Sequence, residues 1–564
     1  MDRHGGAFSR RLSEAQSDPT GRRWLFIPYD QLNDRIGPLL REDPSELGII
    51  LIENPWKASR RPYHKQKLAL VLCNLRHFAL EQAARGVAVR HVVARGPYGE
   101  TLKPLARELG GHGPVRVMVP AERELRTDLQ PCLDAGYLES IPHEGWLTSR
   151  DQFLRSQKGT TWRMDSFYRL VRRESGILME NGKPVGGKFS FDVENRKSWN
   201  GDPPAPKLPR FKIDAIKEEV GELIEARFAE HPGELNLETI PTTRAQASRL
   251  WRWAKQHCLP SFGPFEDAMS TRSTGLFHTR ISGLMNLHRI LPGKVVTETA
   301  ELDLPLPSKE GFIRQVLGWR EFVHHVHEVT DGFRKLRDRE PSVAAAPGDG
   351  GFSSWKGTKW TCHSAGRTRI DGGATPAFLG SDDPVPPAFW GKSSGLACLD
   401  RVVREVWSEG YGHHITRLMI LCNLATLLDL SPRQLTDWFW IAYSDAYDWV
   451  VEPNVLGMGA FAVGDLMTTK PYVSGAAYIN RMSDYCADCA FDPKKDCPIT
   501  SLYWTFLDRH EERLSKNPRL RMQYNSLAKR TPARRRVDRD VYREVRERLQ
   551  LGRRLTPGGL STTR

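Results

Sequence analysis

From Trp24 onward, apolar and polar positions come in blocks: WLFIPYDQLN, LGIILIENPW, YHKQKLALVLCNLRHFALEQAARG, VAVRHVVARG and GPVRVMVPAERELRTDLQ. Short β-branched runs separated by amphipathic stretches are the mark of βαβ units. A strand covered on both faces reads as a continuous apolar run and needs a helix to cross back. The pattern predicts an α/β domain with a doubly wound parallel sheet over residues 23–145. No G-x-G-x-x-G follows the first strand, which excludes an ordinary dinucleotide fingerprint.

The flanking text differs. Residues 1–22 are polar and rich in Gly, Ser and Arg, and read as a disordered extension. Residues 146–235, with text such as ENGKPVGGKFSFDVENRKSWNGDPPAPKLPRFK, read as an interdomain linker. Over residues 236–526 the period shifts to that of helices, as in TRAQASRLWRWAKQHC, GFIRQVLGWREFVHHVHEV, GLACLDRVVREVWSEG and ITRLMILCNLATLLDL, and predicts an all-helical domain. The stretch AAAPGDGGFSSWKGTKWTCHSAGRTRIDGGATPAF interrupts it as a long loop, a length that usually means function or mobility. Residues 527–564 form a basic tail with one helical segment, DRDVYREVRERLQLG.

Composition sharpens this picture. A chain of 564 residues is long enough for two large domains. The formal charge of +14, from 82 Lys+Arg against 68 Asp+Glu, favours a polyanionic partner, nucleic acid first, over a merely solvated basic surface. Part of that excess sits in the run AKRTPARRR. No apolar run approaches the roughly 18 residues of a spanning helix, and the first residues lack the apolar core of a secretory signal. A cytoplasmic protein with no membrane partner is expected, and its nine cysteines then point to metal binding or buried thiols rather than disulfides.

Three constellations carry chemistry. YCADCAFDPKKDCP places Cys486, Cys489 and Cys497 so that two thiolates from one turn and a third from the following loop can meet at one metal centre. The fourth ligand is open among Cys398, Cys422, Cys362, Cys258 and a histidine, and the spacing suits a zinc knuckle equally well. TDWFWIAYSDAYDWVV crowds Trp438, Phe439, Trp440, Tyr443, Tyr447 and Trp449; most of these rings are core, and a redox relay needs only two or three. In SEGYGHHITRLM, His413 and His414 follow a glycine turn at a helix start, where an imidazole can face a ligand for proton transfer, although a structural histidine is the commoner case.

Between about Trp24 and about Tyr524 these pieces fall into an ordered set of motifs: YDQLN, HKQKLALVLCNLRHFA, FGPFEDAM, TRISGLMNLHRILP, GWREFVHHVHE, GHHITRLMILCN, EPNVLGMGAFA, KPYVSGAAYINRMSDYCADC and CPITSLYWTFLDRH. By them the chain resembles the iron–sulfur bacterial cryptochromes and photolyases, a family that includes prokaryotic (6-4) photolyases and photolyase-related proteins. The resemblance implies an N-terminal antenna domain, an extended linker, and a helical domain holding FAD in a folded pose beside a [4Fe-4S] cluster. It assigns the cluster to Cys398, Cys486, Cys489 and Cys497. It assigns the FAD pyrophosphate to Thr279, Arg280 and Ser282, an aromatic wall to Phe265, and a lining helix to Gln315, Trp319 and Arg320. Asp445, Asp448 and Asn454 are its polar residues toward the isoalloxazine.

By the same resemblance, Trp438, Trp390 and Tyr478 supply electrons, and His414, then His413, is the imidazole beside the lesion, with Met458 and Tyr472. Tyr29, Asp30, Gln31 and Glu53 correspond to an antenna site for 6,7-dimethyl-8-ribityllumazine. Two positions depart from the family pattern: Tyr29 stands where relatives carry glycine, narrowing that site, and Val451 replaces a carboxylate that Glu452 carries one position later. The activity expected is that of a deoxyribodipyrimidine photolyase-type lyase. It is a monomer acting on UV-damaged DNA, with (6-4) photoproducts first, by electron transfer from photoexcited reduced FAD. The alternatives are a cryptochrome photoreceptor with the same cofactors and no repair, and a zinc-stabilised nucleic-acid-binding protein without flavin.

Overall fold

The computed structural model describes residues 6–336, 340–360 and 371–560. Cys362, much of the long loop around it, and both chain ends lie outside the described residues. Five parallel strands, β1 (Arg23–Phe26), β2 (Leu47–Glu53), β3 (Ala88–Val93), β4 (Val115–Met118) and β5 (Leu138–Ile141), form one sheet in the order 3-2-1-4-5. The order reverses between β1 and β4, which opens a crevice at the carboxyl ends of the strands. All seven residues of LGIILIE in β2 are buried, as a strand covered on both faces requires. Gly48 in that strand cannot be enlarged, because a Cβ there would stand 2.6 Å from the Trp24 indole.

The helix Lys65–Ala83 ties the sheet to the helical half. His64 caps it: His64 Nδ1 accepts from the Gln66 amide at 3.0 Å while Nε2 donates to the Trp407 carbonyl at 3.1 Å. One turn on, the buried Lys67 ammonium donates to the carbonyls of Trp440 (2.9 Å) and Ala446 (2.5 Å). Beyond residue 236 the chain is mostly helical rather than all-helical, since Val343–Ala344 and Gly373–Ala374 pair as a short antiparallel ribbon, and among the described residues it has four wide π-type turns: Ala254–Cys258, Arg314–Arg320, Thr416–Cys422 and Glu452–Gly459. Such turns insert one extra residue, re-aim side chains and concentrate at functional sites.

Three segments carry more order than their composition implies. Within the extension expected to be disordered, Ala7–Ala15 is a helix, held by buried Phe8 and Leu12 and by a bond from the Phe8 amide to Glu219 at 3.0 Å. Residues 146–235 include the helices Arg150–Ser156, Met164–Ser175 and Ala215–Arg227. In the tail, the helix Pro532–Gln550 buries Val541, Val545 and Leu549 and packs on the helix Pro498–Arg509. Several of its cations are paired: Arg535 and Arg539 reach Asp508 at 3.0 and 2.9 Å, and Arg546 reaches Asp383. Composition predicted disorder at the N-terminal end because it counts charge without seeing partners.

Candidate functional site

The crevice above the sheet is a cleft of about 1000 Å³, walled on its far side by Trp440 and Tyr447 of the helical half. Tyr29 and Glu53 line it. The Tyr29 ring stacks on Tyr447 at 6.0 Å and its hydroxyl is bonded to Glu122. Burial works against ionisation of Glu53, yet Arg76, at 2.6 Å, and His91, at 3.1 Å, hold its carboxyl well below the usual range. Asp30 and Gln31 do not line the cleft: they bond to the Ala121 amide and the Met118 carbonyl, at 3.0 Å each, and burial lifts the Asp30 pKa to about 6.

A second centre forms in the helical half, where the short helix Ser282–Asn286 meets the π turn Thr416–Cys422. The buried Asp445 carboxylate accepts two bonds from Arg417 at 3.0 Å and one from Ser282 at 2.7 Å, while the Asp445 carbonyl accepts from Asn286 at 2.8 Å. Burial alone would raise the Asp445 pKa; Arg417 and Ser282 outweigh it and keep the group ionised. Arg417 in turn lies 3.9 Å over the Tyr443 ring, whose buried hydroxyl has no partner. Arg280, in a left-handed conformation at φ 54°, pairs with Glu409 at 2.5 Å and covers Tyr411 at 4.1 Å; Arg280 and Ser282 line a pocket there, and Thr279, just before Arg280, is buried.

Beside this centre His278, His413 and His414 converge, with ring centroids 4.4 Å apart for His278–His413 and 5.3 Å for His278–His414. Burial, together with the neighbouring imidazoles, pushes His278 and His413 far below the ordinary histidine value, so both are neutral. His413 Nδ1 and His278 Nε2 are buried without partners. His414 faces outward, 39% exposed, with Nε2 3.8 Å from Asp267. Phe265 stacks near Phe277 at 5.3 Å, and Gln315 donates to Glu266 at 2.5 Å, so both belong to the wall that carries Asp267. Tyr472 and Tyr478 share the charges of Asp192 and Arg196 and stand on this open side. Arg481 and Arg519 are exposed there, beside Arg196, which pairs with Asp192.

The remaining expected residues have partners of their own. Arg320 is sandwiched against Trp146 (4.3 Å) and Trp449 (5.1 Å) and donates to Glu321 and to the Met285 carbonyl; burial lowers its pKa to about 10. Trp319, one position earlier, is half-buried against Phe322. Asp448 accepts from the Glu124 amide at 3.0 Å and from Trp449, which makes it a joint to the sheet domain. Asn454 donates to the Val450 carbonyl in the short helix Asp448–Val451 that precedes its own π turn, the turn that also carries half-buried Met458. Glu452, displaced by one position, is locked between Arg433 (2.8 Å) and His327 (2.9 Å).

Trp438 and Trp390 are not isolated. Trp407 bridges them, edge-on to Trp438 at 5.7 Å and stacked on Trp390 at 4.9 Å, and Trp355 stacks on Trp390 at 5.7 Å. Trp438 is fully buried and Trp355 is 37% exposed, so this aromatic column runs from core to surface. Tyr478 lies outside it, on the histidine side. Sequence reading missed Trp407, which looks like an ordinary core position in REVWSEG, and Arg417, which looks like an exposed helical arginine.

Cys398, Cys486, Cys489 and Cys497 line one small cavity with Tyr485 and Phe491. Cys398 opens the helix Ala397–Glu409, which carries Trp407 nine residues on. Burial, then the neighbouring thiols, pushes the Cys398 thiol far up; burial raises Cys486 to about 11 and Cys497 to about 12. Four thiols so placed are poor as free thiols, whereas a bound cation would let them ionise. Cys258 and Cys422 lie elsewhere, the first against the His278 carbonyl and the second against Gly459.

The family model for "Deoxyribodipyrimidine photo-lyase-related protein" matches residues 25–239. The chain is 32% identical over 539 residues to a (6-4) photolyase of Agrobacterium fabrum, covering 93% of this chain and 97% of that protein. In fold it is similar to a bacterial class III photolyase from Agrobacterium tumefaciens, with a TM-score of 0.52 at 14% identity over 95% of this chain and 100% of that one. It is also similar to a Synechocystis cryptochrome, with a TM-score of 0.52 at 12% identity over 93% of this chain and 99% of that one.

Proposed function

The chain belongs to the photolyase and cryptochrome family, and on that premise we propose that it repairs UV-damaged DNA in light, with (6-4) pyrimidine photoproducts as substrate. The observation that carries this reading is the junction of the Arg417–Asp445–Ser282 network with the histidine trio. FAD fits the network: a permanent cation, a carboxylate and the unpartnered Tyr443 hydroxyl and His413 Nδ1 are the donors and acceptors a flavin with its ribityl chain would meet. The four-thiol cavity fits a [4Fe-4S] cluster, which needs four thiolates. FAD, when bound and reduced, supplies the light-driven electron; the hard chemistry is the cofactor's.

The chain's own residues do the rest. Exposed Arg196, Arg481 and Arg519 hold flanking phosphates, so that a lesion unstacked at a cost of about a few kcal/mol reaches His414. His414 gives the adduct its proton, positioned by Asp267, while buried His413 and His278 stay neutral and deny a competing proton. Glu409 fixes Arg280, and Asp445 fixes Arg417, so both cations keep their place when the lesion arrives. Trp438, Trp407, Trp390 and Trp355 carry electrons inward from solvent. We assign the cleft above the sheet to an antenna chromophore of the ribityllumazine class, contacted by Tyr29 and Glu53.

A cryptochrome reading draws on the same tryptophan column, since photoreduction alone would then be the output. The two separate in one experiment: reduced protein is illuminated with oligonucleotides holding either a (6-4) photoproduct or a cyclobutane dimer, and restored bases are counted. The proposal expects restoration of the (6-4) bases; restoration of neither, with normal flavin photoreduction, assigns the protein to signalling.

A further inference from the structure

A second group of ligating side chains lies outside everything described above. The helix Glu321–Val329 carries His324, His325 and Glu328, with Glu328 four residues after the first and three after the second, spacings that share one helix face. One ligand atom from each lies within 4.8 Å of the other two. The tautomer of His325 follows from its neighbours. Thr148 Oγ1 spends its only proton on Glu321 Oε2 (2.9 Å), so at 2.8 Å it accepts from His325 Nε2–H.

His325 Nδ1 is then a bare lone pair, buried, facing Glu328 Oε2 at 3.8 Å, a separation too long for a hydrogen bond. His324 Nδ1 is buried without a partner as well. The bare His325 Nδ1 and the Glu328 carboxylate, with one nitrogen of His324 within 4.8 Å of both ligand atoms, fit a cation between them. We propose that His324, His325 and Glu328 bind a borderline divalent transition-metal ion of the Zn²⁺ class through two imidazole nitrogens and one carboxylate oxygen, with water completing the shell.

The surroundings suit that role. Glu328 is 32% exposed and gives the ion a path from solvent. Thr148 and Glu321 form the outer pair that orients His325. Trp146 stacks on His324 at 3.6 Å, so the ion pins the segment leaving the sheet to the helix Glu321–Val329. Because Arg126 and Arg320 lie close to His324, the site depends on the negative charge of Glu328.

The test compares zinc binding by full-length wild-type protein, Glu328→Gln and Thr148→Val, each stripped with a chelator and titrated with Zn²⁺ alone; the cysteine cavity and the histidine trio are intact in all three. Wild type is expected to take up about one Zn²⁺ more than Glu328→Gln, and Thr148→Val to bind that ion about 10- to 100-fold more weakly. Zn²⁺ should raise the melting temperature of wild type and not of Glu328→Gln. Equal zinc uptake by wild type and Glu328→Gln, or unchanged affinity in Thr148→Val, overturns the proposal.

Discussion

Replacing Arg417 by alanine tests the network beneath the proposed flavin site. The substitution leaves the Asp445 carboxylate buried with Ser282 as its remaining side-chain partner. Breaking a buried pair in this way costs about 3–5 kcal/mol. The lost contact of the guanidinium with Tyr443 at 3.9 Å puts the expected cost at the upper end, where a desolvated cation–π contact adds up to about 2 kcal/mol. That is a large share of the roughly 5–15 kcal/mol by which a domain is stable. Asp445→Asn in the Arg417→Ala background removes the stranded charge, so the double variant should recover about 1–3 kcal/mol as coupling.

The pH dependence distinguishes this account from simple loss of bulk. In the wild type the folded pKa of Asp445 lies below its unfolded value, so the stability it contributes is full above that unfolded value, about 3.9, and is lost as pH falls through the folded one. Without Arg417, burial raises the folded pKa above the unfolded value, and the penalty shrinks as pH falls toward it. The assay is a thermal melt of wild type, Arg417→Ala and the double variant at pH 8 and pH 5. The gap between wild type and Arg417→Ala should narrow at pH 5, and the double variant should melt above Arg417→Ala at pH 8. A gap independent of pH, with no rescue by Asp445→Asn, refutes the reasoning.

His414→Ala should lower (6-4) repair by about 10²- to 10⁴-fold while the protein keeps its flavin, read as restored bases against flavin absorbance. Trp407→Phe should slow photoreduction of oxidised protein by an external reductant, yet chemically reduced Trp407→Phe should repair at the wild-type rate. Cys398→Ala should lose cluster iron, measured by elemental analysis, along with the ordering of the loop that holds Cys486, Cys489 and Cys497. DNA binding should weaken with salt, and Arg519→Ala should reduce the slope of log affinity against log salt by about one.

Much of the fold was legible because its signals are local. The fully buried LGIILIE run and the alternation around it announce a parallel sheet, and the shift to helical period after residue 236 announces the helical half. The cysteine loop was legible as spacing, but spacing left its fourth member open; resemblance pointed to Cys398, and the fold brings it beside Cys486 across 88 residues of chain. The same limit hid Arg417 and Trp407. Each sits in unremarkable helical text, and the π turn that swings Arg417 onto Asp445 leaves no trace in a period-3.6 pattern. Tyr478 was grouped with the tryptophans by resemblance, and in the fold it stands on the histidine side. Composition misled at the N-terminal end, where Phe8 and Leu12 anchor a polar-looking helix, and it could not show that Asp508 pairs with two arginines of the basic tail.

The central claim is that one pocket of the helical half holds a flavin near a four-thiolate iron centre. Anaerobic purification followed by cofactor release and elemental analysis measures this most directly. The account predicts yellow-brown protein with about one FAD and about four iron atoms per chain. Colourless protein carrying zinc in place of iron, and no flavin, would contradict it.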